Sequence, residues 1–199
     1  MWHRRAYCMP ILLLVSALTA PTSFAADKIY YTAIETFDPL GLLGPPVGEV
    51  LAPPTVKCPG HEPTGNPEQP CPVGSRTHTR NFVIVSRVDA SDPILSGMMT
   101  VVLNGNMDAN AEGPVWGTFI IALDSGGTWE GTWQGLRVLV IPEDPEEDPY
   151  WTATLNVQGK GYGGMVDGMK MMATDDIFTP TPVPIAYTGF IEGRVIDPN

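Results

Sequence analysis

The stretch GGTWEGTWQG, from Gly126 to Gly135, leaves this chain few ways to fold. Read with a period of two, it sets Trp129, Gly131, Trp133 and Gly135 on one face and Thr128, Glu130, Thr132 and Gln134 on the other, as a half-buried β-strand would. Large and small residues alternating on an inner face is how a small barrel fills its taper.

The runs around it have the same texture: DKIYYTAIET, RNFVIVSRV, GMMTVVLNG, PVWGTFIIALD, LRVLVIP, YWTATLNVQGKG and PIAYTGFIEGRVI. Each is of strand length, rich in Val, Ile, Thr and aromatics, and bounded by Gly, Pro, Asn or Asp. No stretch has a convincing helical period, although GGMVDGMKMMATDD fits either a turn of helix or another strand. The pattern predicts an all-β antiparallel meander, closed as a barrel or folded as a sandwich, and the Trp/Gly alternation favours a single closed barrel of about eight strands. PVWGTFIIALD is apolar on both faces, which predicts a strand covered on both sides.

The chain opens with Arg4 and Arg5, a short apolar run ILLLVSALTA, and small residues at Ser23 and Ala25. That is the pattern of a secretory leader cut after Ala25, and it predicts a secreted or periplasmic protein. Loss of the leader takes net charge from -11 to -13, since two arginines go and no acid does. So acidic a chain repels nucleic acid, whose binding needs basic patches. No run reaches the ~20 apolar residues of a membrane helix. An outer-membrane barrel is disfavoured by the polar face bearing Glu130 and Gln134. The organisation expected is a leader at 1–25, a first strand with a Pro/Gly-rich loop at 26–80, and a barrel meander at 81–199, with 26–199 as one domain.

Within the loop, CPGHEPTGNPEQPC runs from Cys58 to Cys71. With Cys8 in the leader, two cysteines remain, and an even count in an oxidising compartment points to a disulfide worth roughly 3 kcal/mol in the chain-entropy view. The competing zinc set of Cys58, His61, Cys71 and His78 has a spacing that matches no common zinc module. No metal site and no cofactor are expected.

Other motifs have plain readings. GKGYGG, Gly159 to Gly164, satisfies G-x-G-x-x-G but ends an antiparallel strand, so it reads as a glycine bend rather than a nucleotide cradle. Asn104, Asn106, Asp108, Asn110 and Glu112 alternate like calcium ligands, yet Asn-Gly marks a turn there. Glu143 to Asp148 form an acidic, proline-spaced loop. Met98, Met99, Met165, Met169, Met171 and Met172 could hold Cu(I), but Met more often fills cores and pocket walls. No Ser/His or Cys/His set for nucleophilic catalysis assembles.

GTFIIALDSGGTWEGTWQG, WTATLNVQGKGYGGMVDGMKMM and YTGFIEGRV together resemble the glycine-rich meander of the superfamily of allene oxide cyclases and dirigent proteins, over roughly Asn81 to Ile196. The motifs are G-x-W-x-G-x-W, G-x-G-Y-x-G and Y-x-G-x-I-x-G. The resemblance implies an eight-stranded, calycin-like barrel with an apolar lumen, in a group that often forms homo-oligomers; no catalytic residue carries over, and the Pro-rich disulfide insertion departs from the pattern.

The function expected is non-catalytic binding of a small apolar ligand or a protein partner, with Trp116, Trp129, Trp133, Tyr162, Met169 and Met171 as pocket or core residues. One alternative is a cofactor-independent isomerase or cyclase, which needs an acid such as Asp108, Glu130 or Asp167 inside the lumen. The other is an extracytoplasmic copper- or calcium-binding protein.

Overall fold

The structure, a computed structural model, describes residues 27–66, 70–181 and 186–198. The leader expected at 1–25 lies outside the described residues.

Ten strands form: β1 (Asp27–Phe37), β2 (Glu49–Ala52), β3 (Thr55–Lys57), β4 (Thr77–Ala90), β5 (Gly97–Met107), β6 (Gly113–Leu123), β7 (Thr128–Val140), β8 (Tyr150–Tyr162), β9 (Lys170–Thr179) and β10 (Tyr187–Asp197). From β4 to β10 each strand pairs antiparallel with the next, and β1 closes the ring by pairing β10 along its whole length and β4 from Ala33 to Thr36. The result is a closed eight-stranded antiparallel barrel, with β2 and β3 outside the ring. Closure removes the exposed strand edges that would otherwise template aggregation.

Glycine sets how tightly this barrel packs. A Cβ at Gly117 would lie 2.7 Å from the Trp133 ring, and one at Gly131 would lie 2.6 Å from Phe119. Each glycine is therefore the socket for an aromatic ring from a neighbouring strand. The face of Trp129, Gly131, Trp133 and Gly135 is the inner one, and Glu130, Thr132 and Gln134 face solvent.

The long N-terminal excursion is partly a sheet extension. β2 and β3 pair with the part of β4 that β1 does not reach, at Val83–Val85 and His78–Arg80. Between these contacts β4 shifts register around Asn81, whose φ is +55° and whose N–H donates to Asn104 Oδ1. The shift keeps Thr77 and Thr79 turned inward along with Phe82. The excursion begins at Asp38, a buried carboxylate that accepts from the N–H groups of Leu42, Leu43 and Gly44 at 2.7, 2.6 and 3.1 Å. It ends at the Cys58–Cys71 disulfide.

Three expectations change. The runs GGTWEGTWQG and LRVLVIP are one strand, because Gly135 packs against Leu155 instead of turning the chain. The ambiguous methionine segment resolves into a short 3-10 turn at Gly164–Val166 followed by β9. β6 is not covered outside: the excursion lies on β4, and Ile120 is half exposed.

Candidate binding site in the barrel lumen

At one end of the barrel the β4–β5, β6–β7 and β8–β9 connections meet, and Trp129, Val166, Leu95 and Leu123 fill it; Trp129 and Val166 are 0% exposed. At the other end the barrel wall is continued by Pro54, Val56 and Pro70 of the excursion, together with Ala111 and Arg137. Between them lies a cavity of about 410 Å³. Most of its wall is apolar, from Phe82, Met99, Val101, Phe119, Leu155 and Met171 among others. This inside-apolar arrangement, with Glu130, Gln134, Asn156, Gln158 and Lys160 exposed on the outer wall, is the reverse of a lipid-facing porin barrel.

Arg137 lines the mouth, level with Ala153 of β8 and, through it, with Ile177 of β9. Its Nη2 donates to Thr179 Oγ1 at 3.2 Å and to the Thr181 carbonyl at 2.9 Å, and its guanidinium lies 5.3 Å from the Trp151 ring centre. Burial pushes its pKa down to about 10. It remains a cation at neutral pH.

The same lumen holds an acidic cluster. Glu35 on β1 and Asp175 on β9 are 2% and 3% exposed. Glu35 Oε1 accepts a hydrogen bond from the Tyr187 hydroxyl and another from Ser86 Oγ at 2.7 Å. Gly189 of β10 pairs directly with Glu35, and a Cβ there would lie only 2.5 Å from Asp175 Oδ1. The missing side chain at Gly189 is thus the space in which the two carboxyls approach one another. Gly193, four residues on, makes the same room for the ring of Tyr31.

Burial drives the Glu35 pKa upward, while hydrogen bonds from Tyr187, Ser86 and Asp175 offset part of that push. Asp175 rises well above the ordinary carboxylate range, chiefly through burial, then through the charge of Glu35, the hydrogen bond to it, and the charge of Asp176. Two close carboxyls cannot both ionise in a dry site, so the pair keeps a proton. Asp175 holds it and donates toward Glu35, which carries the charge once the pair loses its first proton. Burial and the neighbouring Glu35 also keep Tyr187 protonated. The bond between the carboxyls apart, Asp175 Oδ1 has no hydrogen-bond partner, and the indole N–H of Trp133 has none. Buried polar atoms are nearly always satisfied in folded proteins, so each such orphan calls for an explanation.

Of the residues expected at a pocket, Trp133 and Met171 line the lumen, Trp129 plugs its closed end, and Met169 packs against the core from the β8–β9 connection. Trp116 and Tyr162 are on the outer wall: Arg80 stacks on Trp116 at 5.0 Å, and Tyr162 is 43% exposed beside Lys160. Their places follow from strand parity, since each alternates with an inward glycine, Gly117 or Gly161. Asp108, Glu130 and Asp167 are all exposed and reach no lumen. The acids that do face it, Glu35 and Asp175, carry a signal in the sequence. Glu35 continues the Ile29, Tyr31, Ala33 face by one step, and of the doublet Asp175–Asp176 one member must point inward.

The methionines divide between faces, with Met99 and Met171 inside and Met98, Met165 and Met172 outside, so they form no common thioether site. The Asp108–Glu112 segment is a turn in which Asp108 Oδ1 accepts from the N–H groups of Asn110 and Glu112. Among the described residues no group of three or more His, Cys, Asp and Glu is placed to hold a metal ion, and no helix is long and apolar enough to cross a membrane.

Fold and site together define a class: an eight-stranded antiparallel barrel whose apolar lumen encloses a hydrogen-bonded acid pair. Comparison with protein families, with curated proteins and with solved structures found no match.

Proposed function

We propose that this protein is an extracytoplasmic binding barrel that takes a small, mostly apolar molecule into its lumen. The observation that carries the reading is the cavity of about 410 Å³, apolar over most of its wall and within the size range of small-molecule sites. The Cys58–Cys71 disulfide and the leader-like N-terminus support an oxidising compartment. Native mass spectrometry of protein purified from its own host tests the reading. An adduct released on denaturation, and lost when Ala153→Phe fills the lumen, is expected. A lumen empty in every preparation that also fails to take up added n-octanol overturns it.

A second reading, a cofactor-independent isomerase or cyclase, draws support from Glu35, Asp175 and Tyr187. They combine a buried base and a proton donor within one apolar cavity, the pairing that proton transfer at carbon needs. Exchange of solvent deuterium into the C–H bonds of a captured native ligand by wild type, but not by Glu35→Gln, distinguishes turnover from storage.

A further inference from the structure

The acid pair sits in the lumen without a cation of its own. Among the described residues that line the cavity, Arg137 is the one basic side chain, and it is held at the mouth by Thr179 and Thr181. The titratable groups around the pair are Tyr31 from β1, Tyr187 from β10 and Asp176 from β9, while β8 contributes only Ala153, Leu155 and Val157 to this wall. The two charges that act on Asp175 are those of Glu35 and Asp176, both negative. Tyr187 and Ser86 supply hydrogen bonds to Glu35 but no charge. Beyond the bond between the two carboxyls, Asp175 has no hydrogen-bond donor directed at it.

Two needs therefore coincide at one point of an otherwise apolar cavity. The carboxyls that line the cavity need a hydrogen-bond donor beyond the pair itself, and the carboxylate, met only by neutral donors, needs a positive charge. A hydroxyl would meet the first need alone, and a ligand carboxylate would add repulsion. An ammonium group meets both. The rings of Tyr31 and Tyr187 beside the pair, and of Trp133 and Phe119 across the cavity, suit a cation as well, because aromatic faces attract it.

We propose that the lumen ligand is an organic amine: an apolar molecule whose ammonium group docks against Asp175 and Glu35 while its hydrocarbon part lies along the apolar wall. This rests on the lumen being a binding site, and the test separates the two ideas. Isothermal titration calorimetry on the whole chain compares n-octylammonium, n-octanol and octanoate, which share a tail and differ in head group. The ammonium binds about tenfold or more tightly than the alcohol, and octanoate is weakest. Its affinity rises with pH as the pair loses its first proton. Joint replacement, Glu35→Gln with Asp175→Asn, leaves no carboxyl at the site and erases the preference of ammonium over alcohol. Should the double variant fail to fold, the wild-type pH dependence decides. Octanol binding as tightly as octylammonium, or a preference that survives both substitutions, overturns the amine assignment and leaves the binding barrel standing. If none of the three probes binds, the binding barrel itself falls, and this assignment with it.

Discussion

Replacing Asp175 by Asn tests the buried pair through stability alone, without any ligand. In the unfolded chain both carboxyls titrate near pH 4, whereas in the fold both pKa values are raised, chiefly by burial. A raised acid binds more protons folded than unfolded, so it lowers stability as pH climbs from the unfolded pKa to the folded one. Each proton so held contributes a slope of about 1.4 kcal/mol per pH unit. Because burial raises the Asp175 pKa in the fold, wild type should lose stability relative to Asp175→Asn as pH rises above about 5, with a slope of up to about 1.4 kcal/mol per pH unit until the folded pKa is reached. The side chain is 3% exposed, so solvent screening takes little from that figure. The amide keeps the shape and can still donate to Glu35, which isolates the proton from the packing. Asp38 does not confuse the measurement. There burial pushes upward but is outweighed by the N–H groups of Leu43, Leu42, Gly44 and Gly41, so its contribution is lost only below the ordinary carboxylate range. Urea unfolding of both proteins at a series of pH values, disulfide intact, gives the difference directly. Parallel stability curves would refute the shared-proton account.

Other substitutions probe the packing around the site. Gly189→Ala puts a Cβ 2.5 Å from Asp175 Oδ1 and 2.8 Å from Ile177 Cδ1; overpacking of this kind costs about 1–3 kcal/mol, and equilibrium unfolding should show that loss together with a flatter stability–pH curve. Trp129→Ala empties the closed end and should cost about 3–5 kcal/mol, whereas Trp116→Ala, on the outer wall, should cost about 1 kcal/mol or less; comparable losses in thermal unfolding would contradict their assignment to opposite faces. Joint replacement of Cys58 and Cys71 by Ser should cost roughly 3 kcal/mol and raise protease sensitivity between β3 and β4, with intact mass spectra locating the cuts. Cleavage that begins in the barrel strands would show that the staple supports more than its own loop.

Much of the barrel is legible from side-chain parity. The Trp129–Gly131–Trp133–Gly135 face reads correctly as interior because an inner wall needs gaps for its rings, and the sockets at Gly117 and Gly131 supply them. Strand limits are less legible where glycine serves packing rather than turning. Gly135 looks like the end of a strand but lies inside β7, leaving room for Leu155. β2 and β3 are illegible for another reason. They have four and three residues, flank Pro53 and Pro54, and exist because β1 leaves most of the edge of β4 unpaired. That vacancy is set by the stagger of the closed ring, a property of the whole sheet that no local window contains.

The site follows the same logic one level up. Acidic residues attract attention where they cluster, as in the 143–148 loop, or where they stand beside a motif, as Glu130 does between two tryptophans. Parity assigns Glu130 to the face opposite Trp129 and Trp133, and so to solvent. Glu35 is inconspicuous because it looks like one more polar residue in an edge-like strand, yet it shares the face of Ile29, Tyr31 and Ala33. What parity alone leaves out is that strands distant in sequence deliver Glu35, Asp175, Tyr187 and Ser86 to one spot. That meeting depends on the register of β1 against β10 and β4, and on the absent side chain at Gly189. The Y-x-G-x-I-x-G run therefore supplies both the hydroxyl that binds Glu35 and the gap that admits Asp175. A strand that looks like simple barrel texture is the one that assembles the acid pair.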